Sequence, residues 1–256
     1  MYEIQVEHAS EEFAECWISA CRHLAGISGF GEKQFIRLSL TPILLDHLSF
    51  IMGNQLFFVH VNDSAARVEA PSTIEACIHA AELGNGVPCK LTMKRSRDGL
   101  WEPVDSDWGL RHAISDQVVR PQEFFTNEDI EISDWEVLDI ANRRIIGEIE
   151  RSNGTVLSFN SDPNVNPSIY FIDEHEAPHF VIVSVARYPF EPRLDQSKID
   201  EVKSGVAGFS TSGFHAQVTI VAQGDPFDPH AVNNGNYLPL IRGRGYHQKY
   251  SGLLPI

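Results

Sequence analysis

The pattern of apolar and polar positions is most regular between Ser133 and Gln223, where it predicts the order helix, strand, strand, strand, helix, strand. The helix opens with Ser133 and Glu136 at capping-box spacing, in which each side chain bonds the backbone N–H of the other residue. Apolar residues then recur at the period of a helix that buries one face. Three apolar runs predict the first three strands, at residues 155–159, 168–173 and 180–186. The third run has apolar or small residues on both faces, which is typical of a strand covered on both sides.

A second helix and a fourth strand complete this region. Asp195 or Ser197 can cap a helix that ends at Gly208. Residues 215–222 form the next apolar run. Because a strand–helix–strand order usually makes a right-handed crossover, we expect this run to lie parallel to the preceding strand. Residues 238–256 fit either an edge strand or a crossing to the first half of the chain.

The first half of the chain also mixes helix and strand patterns. Ser10 can cap a helix, and Ser72 and Glu75 form a second capping box. Strands are predicted at residues 34–40, 55–61, 87–95 and 100–104, and a short helix at residues 43–50. The fold class is therefore α+β or α/β, a two-lobed chain with mixed β-sheets flanked by helices. We expect an N-terminal α+β region over residues 1–125 and a C-terminal α/β region over residues 126–256, either separate or packed as one unit.

The chain is strongly acidic, with a formal net charge of −15. Both halves contribute, since residues 1–130 hold 10 basic and 19 acidic side chains, and residues 131–256 hold 10 and 16. This balance disfavours a nucleic-acid partner, because such a protein needs a positive surface. Two basic stretches, residues 90–97 and 242–249, run against the trend. A nucleic-acid-binding module is a lesser option that would need both of them.

Nothing in the sequence predicts export or membrane insertion. It contains no run of 18 apolar residues, and its acidic N-terminus lacks the basic and apolar regions of a signal peptide. The four cysteines are too few for a disulfide framework in a chain of this length. We therefore expect a cytoplasmic protein with reduced thiols and no membrane partner.

Complete catalytic motifs are absent from the sequence. It has no Walker loop, no dinucleotide fingerprint and no nucleophile elbow. The acids and histidines from Asp173 to His179 include ligand types that suit a divalent ion, although a solvated hairpin tip is the simpler interpretation. We therefore favour a non-catalytic protein that acts by binding another protein or a small ligand, with no cofactor.

The element order around Asp162 and Asp173 resembles the core of the restriction-endonuclease-like, or PD-(D/E)xK, family over residues 133–223. Either acid matches the first acid of that family. The family's acid-x-Lys motif is missing from the next strand, so Lys198 and Lys203 on the following helix are the candidates for a migrated lysine. The resemblance implies an alternative function, a metal-dependent hydrolase or phosphodiesterase with an incomplete motif. In that alternative Asp162, Asp173 and Lys203 converge as catalytic groups, and the two acids hold a divalent metal.

Four short phrases of the chain also resemble a family of uncharacterised bacterial proteins. They are Leu45–Phe50, Gly53–Phe58, Asn166–Phe171 and Arg242–Gly245. This second resemblance implies a bacterial cytoplasmic protein and carries no activity with it.

Overall fold

The computed structural model describes residues 10–27, 33–37, 47–210, 212–225, 227, 229–233, 235 and 237–256. This part of the chain folds into two compact units, an N-terminal unit within Glu7–Asp129 and a C-terminal unit within Ile130–Ile256. Each unit has a mixed β-sheet with helices packed against it, so the fold is α+β. The assignment of residues 1–125 and 126–256 to two domains stays a prediction. None of the helices in the described ranges is long and apolar enough to cross a membrane.

The N-terminal unit is built on a sheet in the order β1-β2-β3-β4-β5, with β6 also paired to β4. Its elements are α1 (Glu11–Gly26), β1 (Lys33–Arg37), β2 (Leu48–Met52), β3 (Gln55–Asp63), α2 (Ile74–Leu83), β4 (Val87–Arg95), β5 (Trp101–Pro103) and β6 (Leu110–His112), followed by a 3-10 turn at Pro121–Phe124. The strands β3 and β4 are parallel, with α2 between them in the chain, and the other pairs are antiparallel.

Helix α1 covers one face of this sheet. The Ser10 hydroxyl accepts the N–H of Phe13 at 3.1 Å, as the predicted cap requires. The apolar stripe of α1 is fully buried, which confirms the predicted helix. The helix predicted at residues 43–50 is wrong at its end, because residues 48–50 belong to β2. All five residues of β2 are buried between neighbouring strands and the core, and this burial outweighs the local helix signal. Residues 43–46 lie outside the described residues.

The C-terminal unit contains the predicted order helix, strand, strand, strand, helix, strand, which is confirmed. Its elements are α3 (Asp134–Arg151), β7 (Thr155–Phe159), β8 (Ile169–Ile172), β9 (Pro178–Arg187), α4 (Gln196–Val206), β10 (Gly213–Ala222), α5 (Pro229–Asn233), β11 (Tyr246–Tyr250) and β12 (Leu254–Pro255). The sheet order is β11-β10-β9-β8-β7, with β12 also paired to β10. As predicted, β9 and β10 are parallel neighbours.

Strand β9 lies at the centre of this unit and is covered on both faces, as its apolar sequence predicts. Side chains of Val181 and Val183 join the core under α3, whereas Phe180 and Ile182 pack with Val202 of α4. Because side chains alternate along a strand, α3 and α4 must lie on opposite faces of the sheet. This arrangement positions the groove that is described below.

The C-terminal segment adds an edge strand to the same sheet. Strand β11 pairs antiparallel with β10, which resolves the alternatives left open for residues 238–256. The aromatic rings of Tyr246 and Tyr250 pack against the core under α3. Upstream of β11, the N–H of Arg242 donates to the carbonyl of Ile130 at 2.8 Å, which fastens the segment near the start of α3.

Candidate functional site

A groove opens in the C-terminal unit where β8 ends and β9 continues. The antiparallel register of β8 and β9 runs from Ile172 opposite Pro178 to Ile169 opposite Val181, and goes no further. The N–H of Ser168 still donates to the carbonyl of Val181 at 3.0 Å. The preceding residue is Pro167, which has no N–H to continue the ladder. Among the residues that the structure describes, the carboxyl half of β9 therefore has no neighbouring strand on this side.

The unpaired side of β9 presents backbone groups to the groove. Tyr188 donates its N–H to Ile220 of β10 at 2.8 Å and Phe180 donates to Ser212 at 3.4 Å, so even-numbered residues of β9 face β10. By alternation, the N–H and carbonyl groups of Val183 and Val185 face away from β10, toward the groove. Val183 is only 8% exposed. Buried backbone N–H and carbonyl groups are nearly always hydrogen-bonded. We therefore expect a bound partner to supply hydrogen bonds to the groove-facing backbone groups of β9.

The groove has a volume of about 440 Å³, which lies in the range of small-molecule sites. One wall is the first turns of α3, with the apolar side chains of Val137 and Leu138. The other wall is residues 193–198, at the start of α4, and Asn166 closes one side. A second cavity of about 690 Å³ shares Asn166 and Lys198 with the first and runs on along α4.

Charge is distributed unevenly around the groove. Arg187 is fixed on the α3 side, where it pairs with Asp134 and donates to the carbonyl of Ile132 at 2.7 Å. Arg193 and Lys198 line the opposite wall, are exposed, and make no ion pair within the described ranges. The remaining acid, Asp195, caps α4, and its hydrogen bond from the N–H of Ser197 lowers its pKa. The α4 wall of this acidic protein is therefore locally cationic.

A serine that lines the groove is paired with a buried histidine of the neighbouring strand. The hydroxyl of Ser184 on β9 lies 3.0 Å from Nε2 of His215 on β10, and both side chains are buried. Burial lowers the pKa of His215, which keeps its ring neutral near pH 7. Ser184 lines the groove and adds a hydroxyl to its polar lining.

The loop that forms the rim of the groove is tied to α3 by a buried polar network. Asn142 donates to the carbonyl of Asn160 at 2.9 Å and to the hydroxyl of Ser161 at 3.2 Å. That hydroxyl donates to Asp139 at 2.9 Å, and Asp139 also accepts from Arg143 at 2.9 Å. Asp139 and Asn142 are both fully buried. The network fixes where residues 160–167 leave the sheet, and therefore where the edge of β9 opens.

The acids predicted as catalytic groups lie at opposite ends of β8. Asp162 is in the loop before the strand, where its carboxylate accepts the N–H of Asn164 at 2.8 Å. Asp173 follows the last residue of the strand. The four residues of β8 span about 13 Å. Lys203, on α4, makes no ion pair with either acid. The structure therefore does not bring these three groups together, because β8 separates the two acids.

Asp173 instead organises the tip of the β8–β9 hairpin. Its carboxylate lies 3.0 Å from Nε2 of His179 and accepts the N–H groups of His175 and Ala177, each at 2.9 Å. The hydrogen bond from His179 and those from the backbone lower the pKa of Asp173 to about 2. Of the acidic and histidine cluster at residues 173–179, the structure thus joins Asp173 to His179, and it places Nε2 of the exposed His175 3.7 Å from the Glu174 carboxylate. No group of three His, Cys, Asp or Glu side chains in the described part of the chain could hold a metal ion.

The two basic stretches are largely engaged by acids of their own units. Three cations of the first stretch form the pairs Lys90–Asp116 (2.8 Å), Lys94–Glu102 (3.5 Å) and Arg95–Glu12 (3.1 Å). In the second stretch Arg242 is buried against Glu136. These pairs reduce the positive charge that a phosphate backbone would meet.

Comparison with known protein families gives a match in the C-terminal unit. Residues 135–256 match a family described as Domain of unknown function (DUF8840), which covers most of that unit. No curated protein and no solved structure matches the chain. The matched region is therefore similar to a family without an assigned activity, and it contains every residue that lines the groove except Asp134. The resemblance to the restriction-endonuclease-like fold gains no support from these comparisons and stays a prediction.

Proposed function

We propose that this protein acts by binding, and that its C-terminal unit holds a ligand with a negatively charged group in the groove beside β9. The observation that carries the proposal is the open edge of β9, where Val183 is nearly buried and no strand in the described part of the chain pairs with its groove-facing backbone groups. The exposed cations Arg193 and Lys198 supply the preference for negative charge. A cytoplasmic setting in a bacterial cell fits the buried free thiols and belongs to the same proposal.

The position of the groove agrees with general features of mixed α/β sheets. Ligands in such sheets bind outside the carboxyl ends of the parallel strands. The groove lies along Val183 to Arg187, at the carboxyl end of β9, beside its parallel neighbour β10. The groove is also lined by apolar side chains with a few polar groups, which is the usual composition of a ligand site.

The hydrolase alternative has no comparable support. It needs Asp162, Asp173 and a lysine ammonium within a few ångströms, and β8 stands between the two acids. The carboxylate of Asp173 is already hydrogen-bonded to His179 and to two backbone N–H groups. Lys198 is the one candidate of that alternative that lines the groove, where a cation suits binding as well as catalysis.

Titration of the full chain with citrate, followed by amide NMR, tests the proposal. Saturable shifts are expected at Val183, Val185 and Lys198. A charge-assisted hydrogen bond contributes about 1.5–3 kcal/mol, so Lys198→Ala should weaken binding by about tenfold or more. Lys249→Ala is the matched control, because Lys249 is an exposed lysine on β11 outside the groove. Binding in this groove would be contradicted if citrate caused no amide shifts at these residues. It would also be contradicted if Lys249→Ala weakened citrate binding as much as Lys198→Ala does.

A further inference from the structure

The open edge of β9 offers both donors and acceptors. On the side that faces the groove, Val183 and Val185 each present an N–H and a carbonyl, and the two residues stand about 7 Å apart along the strand. A simple carboxylate anion without a donor group can only accept hydrogen bonds, so it would leave the two carbonyls unpaired. A peptide backbone in extended conformation has donors and acceptors at the same spacing and satisfies all four groups.

The two walls differ in chemistry, and a strand would meet them alternately. Side chains of a strand laid beside β9 point in turn toward α3 and toward α4, because these helices lie on opposite faces of the sheet. The α3 wall carries Val137 and Leu138, and the α4 wall carries Arg193 and Lys198. The groove therefore suits a segment in which apolar and acidic residues alternate.

We propose that the ligand is an extended peptide of alternating apolar and acidic residues, which adds to β9 as an antiparallel strand beyond the end of β8. This inference rests on the proposed binding function and names the ligand class of the same groove. The antiparallel direction continues that of β8, whose place in the sheet the peptide extends. In antiparallel pairing, residues opposite Val183 and Val185 direct their N–H groups at β9 and their side chains at α3. The apolar residues of the peptide therefore supply the hydrogen bonds to β9.

The test uses the peptide acetyl-Val-Glu-Val-Glu-Val-Glu-amide with the full chain. Two variants of this peptide are N-methylated, one at the second and third valines and the other at the first and second glutamates. The valine-methylated peptide loses N–H groups that face β9 and should bind at least about tenfold more weakly. The glutamate-methylated peptide carries equally many methyl groups on the opposite edge and should bind like the parent. This comparison leaves the protein unchanged, so folding does not enter the result.

The substitution Val185→Pro is the complementary test on the protein. It removes one N–H that faces the groove and none that faces β10, so the ladder between β9 and β10 keeps its donors. We expect weaker peptide binding, with amide shifts of β10 retained as evidence of folding.

Three outcomes would overturn the inference. Equal binding of both methylated peptides, with shifts in the groove, would refute strand addition while leaving the proposed binding function intact. If neither the peptide nor citrate shifts the amide NMR signals of the groove residues, both proposals are refuted. If the amide NMR signals of the groove residues shift when the protein concentration is raised, and do not respond to added peptide, the occupant of the groove is a second copy of the chain.

Discussion

Arg242 and Glu136 form a buried, two-point ion pair between residues 106 positions apart in the chain. Nε of Arg242 donates to one carboxylate oxygen at 2.8 Å and Nη2 to the other at 2.6 Å, and each of the two residues is only 3% exposed. Glu136 also accepts the N–H of Ser133 at 2.8 Å and so completes the capping box of α3. One carboxylate therefore joins the start of α3 to the segment that leads into β11.

Replacing Arg242 with methionine should destabilise the C-terminal unit strongly. The substitution leaves the Glu136 carboxylate buried with its cation removed, and breaking one side of such a pair lowers the free energy of unfolding by about 3–5 kcal/mol. Urea unfolding followed by NMR signals of the C-terminal unit measures this loss. Lys249→Met, at an exposed position of β11, should change the free energy of unfolding by no more than about 0.5 kcal/mol. Equal losses in the two variants would show that the ion pair does not hold this segment.

Replacing Asp139 with alanine should loosen the rim of the groove. It removes the acceptor of both Ser161 and Arg143 from a fully buried site, which lowers the free energy of unfolding by about 1–3 kcal/mol. Glu150→Ala, an exposed acid at the end of the same helix, is the control and should stay within about 0.5 kcal/mol. Faster hydrogen exchange at residues 160–162 in Asp139→Ala alone is the specific signature. Unchanged exchange there would count against a positioning role of the network.

Asp173 should titrate at unusually low pH. The folded state lowers its pKa to about 2 from an ordinary value of 3.8, chiefly through His179, so folding favours the charged carboxylate. Its contribution to stability is therefore complete above pH 3.8 and is lost as the pH falls toward 2. The carboxyl-carbon NMR shift of Asp173 measures the midpoint directly. In His179→Phe the midpoint should move upward, toward the ordinary value. A midpoint that His179→Phe leaves in place would refute the assigned cause.

The cysteines should resist alkylation in the folded protein. Burial raises the pKa of Cys16 and of Cys77 to about 12, and the pKa of the Cys89 thiol is shifted in the same direction for the same reason. At pH 8 only about one in ten thousand thiols of pKa 12 is ionised, and the thiolate is the reactive form. Mass spectrometry after treatment with iodoacetamide should show no label in the native protein and four labels after unfolding in urea. Rapid native labelling would contradict the burial of these thiols.

Much of the fold could be predicted from the sequence because its signals are local. The capping box at Ser133 and Glu136 forms both of its hydrogen bonds, and the runs of apolar residues locate β7 to β10 to within a few residues. The parallel pairing of β9 and β10 followed from the helix between them. Such features depend on residues a few positions apart, which a sequence displays directly.

The groove could not be predicted in the same way. It exists because β9 is longer than β8, and the unequal lengths depend on where the loop before β8 leaves the sheet. One signal was present in the sequence. Asn142 interrupts the apolar stripe of α3, between Leu138 and Ile145, and a polar side chain at such a position needs a buried partner. Pairing between Glu136 and Arg242 had no comparable signal, because a separation of 106 residues leaves no periodic trace.

Hydrogen exchange along β9 in the free protein tests the central claim most directly. The N–H groups of Ser184 and Ala186 face β10 and should be protected, whereas those of Val183 and Val185 face the groove and should exchange far faster. NMR resolves each amide separately, so adjacent residues of one strand serve as mutual controls. An alternating pattern, with protection of Val183 and Val185 gained on adding the acidic peptide, is the result expected of an open strand edge. Uniform protection from Ile182 to Ala186 in the free protein would contradict it.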